Sequence, residues 1–537
     1  MTTWKTGLRN SAIYAAVAAS VLFGAAPSSA QQTKPRIGDS LVIGVTGDPG
    51  ILNGAISSNF VEKMVSSNVM SMLIRLDRDF KPRPDLAKSW TISPDGLTYT
   101  FALQENVKWH DGKPFSSDDV KYTIEEVILP LHGRGGTYKT IIDKIEAPDA
   151  KTVVIKLKAP FGPLMNALGY DFFILPKHLY AGTDVANNPY NSKPIGTGPY
   201  KFTEWKKGSH VTLDRYPDYF VKGLPYLDRL IVQIIPDAAG RVTALESGEI
   251  DYLSYQNLPS SAVPRLKSNA KLTTSADGFE SLASITMMTL NIDSPVMKDV
   301  RVRRAIAYAI DKQVLVERAD YNIGKPATGP IASSSWAYEP NVEKYAHNLQ
   351  AAAKLLDEAG YPLKDGRRFS FRLVADGGVE FNRKAGEILK EQLAQVGINL
   401  ELQMVERNVA LDRVYVKRDY DAFVHVFSTG ADPAIDVSRL YVSSNVRPVN
   451  FTNGAGYKNP AVDAAFDEGQ KAFNPEARST AYKQAQKILT DDLPVIWLTE
   501  YGIVGIWSKR LQGLHTWSSY SYYNFWDAWS ENGKPAP

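Results

Sequence analysis

Phe369-Ser370-Phe371-Arg372-Leu373-Val374 opens the segment whose order of elements decides the fold class. Large apolar side chains alternate there with smaller or polar ones, the period of a strand. Residues 383–396 then carry helical spacing. Leu400-Glu401-Leu402-Gln403-Met404-Val405 and Ala422-Phe423-Val424-His425-Val426-Phe427 return as strands. A β-α-β-β order of this kind predicts an α/β lobe.

Reading outward, a second α/β sector precedes it. Leu41-Val42-Ile43-Gly44-Val45 is a short apolar run bounded by glycine and predicts a buried strand. Residues 59–72 predict a helix. Residues 97–103 and 152–157 alternate as sheet strands, and Ser117-Asp118-Asp119-Val120 starts a helix between them. Strands follow at 213–216 and 230–235, and a helix at 238–247 closes on Gly248. Residues 285–292 predict a strand that passes into the next lobe, and 299–319 an amphipathic helix. A helix at 479–491 and a strand at 494–498 end the pattern. No repeat and no flexible linker separates the sectors. That organisation suits discontinuous lobes joined by strands.

Composition bounds the function. Lys5 and Arg9, an apolar stretch over 12–26, and Ser28 and Ala30 at the −3 and −1 positions predict a secretory signal over 1–30, cleaved before Gln31. With no cysteine at that site the lipoprotein route is closed, so a soluble periplasmic protein is expected. The sequence has no cysteine at all. Its core must hold it without disulfides, and thiol nucleophiles, Fe–S sites and Cys-rich zinc sites are excluded. A formal net charge of +3 and no basic run leave no nucleic-acid stripe. Ten Trp and 27 Tyr suit a pocket that holds a ligand by stacking and shape.

Catalytic motifs are missing: there is no G-x-S-x-G, H-E-x-x-H, P-loop or G-x-G-x-x-G. The adjacent carboxylates Asp118-Asp119 and Asp491-Asp492 read as solvated caps. The histidines show no metal-ligand spacing, and His110 reads as part of a turn. Gly196-Thr197-Gly198-Pro199 lacks the helix and lysine of a phosphate cradle and reads as a tight backbone turn. Arg301, Arg303 and Arg304 fall on different helix faces and read as surface and ion-pair residues.

Three landmarks carry a family resemblance. The first is Pro84-Asp85-Leu86-Ala87-Lys88-Ser89-Trp90 with Asp95-Gly96-Leu97-Thr98-Tyr99-Thr100-Phe101, Val107-Lys108-Trp109-His110-Asp111-Gly112-Lys113-Pro114-Phe115 and Asp118-Asp119-Val120. The second is Ile195-Gly196-Thr197-Gly198-Pro199-Tyr200 with Asp218-Tyr219-Phe220. The third is Val300-Arg301-Val302-Arg303-Arg304-Ala305-Ile306-Ala307-Tyr308-Ala309-Ile310-Asp311. In this order they resemble the extracytoplasmic solute-binding proteins of peptide/nickel-type ABC importers, family 5.

The resemblance implies a two-lobed periplasmic-binding-protein fold, type II-like, with an extra inserted lobe. Lobe I would comprise 31–70, 194–289 and 501–537, lobe II 71–193, and lobe III 290–500. Two hinge strands would lie near 290–293 and 497–500. The implied function is non-enzymatic capture of a solute by lobe closure. Delivery would go to ABC permease and ATPase subunits at the inner membrane, from a monomer without cofactor. The rival reading is a secreted hydrolase acting on peptides or glycans.

Ligand contacts are expected from Phe427, Ser428, Thr429 and Asp432, because strand ends in α/β lobes face the crevice, and from the aromatics Phe60, Trp497 and Tyr501. Peptide-binding relatives carry an acidic residue for the ligand's α-amino group, and Thr429 or Gly430 stands at the matching position. Two ligand readings follow. One is a peptide held through Asp432 or another nearby carboxylate as a displaced anchor. The other is a neutral or anionic solute such as an oligosaccharide, an opine or a sugar-phosphate conjugate. A nickel chelate has no His/Cys/Met cluster to support it.

Overall fold

The computed structural model describes residues 34–536 apart from 58, 431 and 517–523. The expected signal segment lies outside these residues. The architecture is mixed α/β around three larger sheets. The first is seven-stranded, in the order Leu272–Ser275, Gly505–Ser508, Tyr252–Ser254, Ser40–Val45, Arg229–Ile234, His210–Arg215 and Tyr200–Lys206. The second is six-stranded, in the order Lys325–Pro326, Val495–Tyr501, Ser284–Leu290, Ala422–Ser428, Phe369–Asp376 and Ile398–Val405. The third is four-stranded, in the order Ala87–Ile92, Thr98–Leu103, Thr152–Leu157 and Ile142–Asp149.

Alternation fixes each face. In the third sheet Tyr99, Phe101 and Leu103 are buried opposite Val153 and Ile155, with Phe101 paired to Val153 and Tyr99 to Ile155. In the second sheet Phe369–Asp376 runs parallel to both Ile398–Val405 and Ala422–Ser428. Helix Glu380–Ala394 makes the crossover and buries Phe381, Ala385, Ile388 and Leu389, the spacing of one helical face. The first and third sheets share one hydrophobic core, and the second sheet has its own.

The landmark motifs are scaffold. The His110 ring donates from Nε2 to the Gly198 carbonyl at 2.9 Å and accepts from the Gly196 amide at Nδ1, tying the Trp109-His110 turn to the glycine loop. A Cβ at Gly196 would stand 1.8 Å from the Val69 carbonyl oxygen, so only glycine lets this loop rest on the end of helix Phe60–Val69. The amphipathic stretch expected over 299–319 is two helices, Val300–Ala309 and Lys312–Arg318, the second capped by Asp311. Arg303 is buried and donates to the carbonyls of Met297, Lys298, Asp492 and Leu493, which replaces the surface role expected for it.

The chain passes between the two large sheets twice, at 276–283 and at 502–504. The resemblance put these crossings near 290–293 and 497–500. Strand Ser284–Leu290 is instead wholly buried inside the second sheet, paired on one side with Ala422–Ser428 and on the other with Val495–Tyr501. Each crossing is clamped. The Ala283 carbonyl accepts from both the amide (2.7 Å) and the hydroxyl (2.9 Å) of Thr429. Asp320 Oδ2 accepts from the Gly502 amide at 2.9 Å.

The two halves meet along a seam. Asn166 Nδ2 donates to Asp432 Oδ2 at 2.8 Å, and the Gly162 amide to the Gln470 carbonyl at 2.8 Å. Arg478 Nη2 reaches both Asp432 oxygens at 2.7 and 2.8 Å, with the two side chains 6% and 0% exposed. Trp336 and Ile435 pack from the second-sheet side against the shared core of the other two sheets.

Two outcomes follow. Removing one partner of a buried pair strands the other, typically at about 3–5 kcal/mol. Asp432→Asn should therefore lower the unfolding free energy in urea by about 3 kcal/mol. A loss below about 1 kcal/mol, the value of an exposed pair, would contradict it. Asp320 is fully buried, pairs with no cation among the described residues, and burial pushes its carboxyl from 3.8 up to about 7. The fold retains that proton where the unfolded chain loses it, so the stabilisation is full below the ordinary value and is lost as pH rises through 7. The stability of Asp320→Asn relative to wild type should climb from about pH 4 to about pH 7 and level off above. A flat difference across that range would contradict the assignment.

Candidate functional site

Strand Ala422–Ser428 ends at the interface of the two halves, and the chain then turns through Gly430 at φ +60°. A Cβ there would lie 1.8 Å from Asp436 Oδ2, so the Asp436 carboxylate fills the space a side chain at 430 would take. From the opposite wall Arg134 Nη2 donates to Asp436 Oδ1 at 2.8 Å. The other terminal nitrogen of Arg134 donates to Asp171 Oδ2 at 2.9 Å. One guanidinium thus joins a carboxylate of its own half to one of the facing half.

Asp171 is the centre of this cluster. It is fully buried and also accepts from Lys63 Nζ at 3.2 Å and the Tyr138 hydroxyl at 2.7 Å. Burial alone would raise its carboxyl. The charges of Arg134 and Lys63 more than offset that and hold it far below the usual carboxylate range. Asp436 goes the other way, because burial outweighs the opposing charge of Arg134 and raises it. The Asp436 carboxylate therefore fills the space beside Gly430 and is already paired with Arg134.

Aromatic rings line the cleft on both walls. Phe60 and Tyr255 lie 5.5 Å apart by centroid on one side. Lys63 Nζ stands 4.7 Å over the Tyr170 ring. On the facing wall Phe427 packs 6.3 Å from Phe451, and Tyr501 meets Phe381 edge-on at 6.0 Å. A cavity of about 270 Å³ lies between Tyr255, Ser260, Val426 and Tyr501. A second, of about 420 Å³, lies between Arg134, Tyr138, Ile435 and Arg439. That second volume falls in the range of small-molecule sites.

The expected contact residues divide. Phe60, Phe427 and Tyr501 are partly buried on the cleft walls, and Ser428 stands beside them with its hydroxyl accepting from the Gly430 amide at 3.1 Å. The other three are corrected. Trp497 is 2% exposed in the core of the second sheet, its Nε1 donating to the Tyr441 hydroxyl at 2.9 Å. Thr429 is buried and its hydroxyl holds the Ala283 carbonyl of the crossing. Asp432 has both oxygens taken by Arg478 and Asn166, so it is not placed to receive a ligand ammonium.

Sequence reading missed Arg134, Tyr170, Asp171, Tyr255, Asp436 and Arg439. The one available signal was an arginine set among glycines, Gly133-Arg134-Gly135-Gly136, where a lone charged side chain in a glycine-rich turn points to a specific partner. Nothing local links it to Asp436, which is 302 residues away.

Comparison with known proteins places this arrangement in a family. Residues 81–447 match the model for bacterial extracellular solute-binding proteins, family 5. The oligopeptide-binding protein AppA of Bacillus subtilis is 29% identical over 500 residues, 88% of each chain. The glutathione-binding protein GsiB of Salmonella typhi is 30% identical over 485 residues, covering 88% of this chain and 91% of its own. The crystal structure of the ABC transporter substrate-binding protein CtaP from Listeria monocytogenes superposes with a TM-score of 0.79 at 28% identity, covering 92% of this chain and all of that one. No helix among the described residues is long and apolar enough to cross a membrane. The sheets, the paired crossings and the enclosed cleft are thus those of a solute receptor, and the chain belongs to the family 5 extracellular solute-binding proteins.

Proposed function

We propose that the protein is the periplasmic substrate-binding component of an ABC importer. It encloses a small peptide-like, opine-like or sugar-acid solute between its two halves and holds it without gripping a free ammonium. The observation that carries the reading is the cleft itself. Its walls come from both halves, polar contacts cross its seam beside Trp336 and Ile435, and among the described residues two adjacent crossings join those halves. A ligand touching both walls favours the closed form by its differential affinity for that form.

The neutral-or-anionic reading is favoured over the displaced anchor. Both carboxylates near the expected ammonium position already have cationic partners, Asp432 in Arg478 and Asp436 in Arg134. The names of the relatives, an oligopeptide-binding and a glutathione-binding protein, support a peptide-like solute. In this reading residues 1–30 direct export and are removed, the mature protein acts as a monomer, and permease and ATPase subunits receive the solute. The family match gives the hydrolase reading no support.

Native mass spectrometry of protein taken from its own periplasm should show a bound small molecule that leaves on denaturation and is chemically unchanged after incubation. Among peptides that bind, N-acetylation should change affinity by less than about threefold, because no charge-assisted bond to an ammonium is lost. Tight binding of free-amine peptides that acetylation abolishes would overturn this reading. Conversion of the bound molecule would restore the hydrolase.

A further inference from the structure

Arg439 lies in the helical turn Ser438–Leu440 on the wall of the larger cavity and is half-buried. Its Nε donates to the Phe451 carbonyl at 2.7 Å, and its guanidinium sits 5.8 Å over the Phe427 ring. These two contacts fix the plane of the fork. Among the described residues no carboxylate stands within ion-pairing distance of it. Its nearest acidic neighbour along the turn, Asp436, is already bound to Arg134. Among the described residues, the ion pairs of this cleft join Lys63 and Arg134 to Asp171 and Arg134 to Asp436, and none includes Arg439. Arg447 adds a further positive charge at the exposed rim of the same cavity.

Arg439 has only a distant share of Asp436, whose carboxylate is bonded to Arg134, and an anionic ligand would supply the direct counter-charge it lacks. We propose that Arg439 receives a carboxylate of the captured solute, with Arg134 and Arg447 framing the same cavity. The assignment rests on the reading that the cleft encloses a solute. The fork presents two terminal nitrogens side by side, which matches the two oxygens of a carboxylate. Thr137, Asn445 and Gln470 offer neutral donors around it. A phosphate would bring a third strong acceptor to a site with one fixed fork. A carboxylate is the better match.

The test is calorimetric titration of the full mature protein and its Arg439→Gln variant with paired probes. One pair is a di- and tripeptide pool as free acids and as C-terminal amides. A second is galacturonate against galactose, and a third is galactose 1-phosphate. The acid member that binds wild type should bind at least about tenfold tighter than its uncharged partner. Arg439→Gln should erase that preference while leaving the uncharged member's affinity unchanged. Arg439→Lys keeps the charge without the fork and should retain part of the preference, which covers a failure of the glutamine variant to fold.

Equal binding of acid and uncharged members by wild type would overturn the carboxylate site and leave the enclosure reading standing. So would a preference that survives in Arg439→Gln. A phosphate bound in preference to the acids and lost in the variant would also overturn it, assigning the site to phosphate. No binding by any probe would overturn both readings together.

Discussion

Everything this protein can do depends on two crossings lying on neighbouring strands. Ser284–Leu290 and Val495–Tyr501 pair side by side in the second sheet, and the chain enters the other half from the matching ends, with Ser284 opposite Tyr501. Joined at one edge by two short segments, the halves can rotate about that edge without tearing either core. Thr429 and Asp320 then act on the crossings themselves. One holds the Ala283 carbonyl and the other the Gly502 amide. A hinge must stay narrow to bend and fixed in place to close in register, and these bonds fix its place.

Across the cleft from the crossings the two halves meet through polar contacts and through Trp336 and Ile435. Arg134 connects Asp171 to Asp436, and Asn166 reaches Asp432. Ion pairs taken out of water return little net free energy, since desolvation offsets much of the attraction. A seam built from them specifies one closed geometry without making closure strongly favourable by itself. The solute can then decide the balance through contacts on both walls. The surplus cation at Arg439 gives that decision a chemical direction. Opposite charge arriving in the cleft completes a set that the protein leaves incomplete.

Much of the fold was legible from the sequence, and for physical reasons. Tyr99, Phe101 and Leu103 alternate because one face of their sheet is buried, and the strands near 369 and 400 announce themselves in the same way. The hinge was not legible at the right residues. Ser284–Leu290 is a central strand buried on both faces, so its pattern carries no mark of where the lobe begins. Site residues divided along the same line. Proximity to a strand end pointed to Phe427, Ser428 and Tyr501, which the fold sets on the cleft walls. It could not say that Trp497 faces the core or that Thr429 turns back to the crossing. Arg134 and Asp436 meet only through the tertiary fold, and Gly430 shows its purpose only once the carboxylate beside it is seen.

Because the sequence contains no cysteine, a pair of introduced thiols can be labelled without interference. Thr91, on an exposed strand of the third sheet, and Gln484, exposed on helix Pro475–Asp492, sit on opposite halves. Spin labels at Thr91→Cys and Gln484→Cys report the separation of the halves by pulsed dipolar spectroscopy. With the co-purified solute present, the distance distribution should be narrow and short. After the solute is removed it should broaden toward longer distances. One and the same distribution in both samples would contradict closure about the paired crossings.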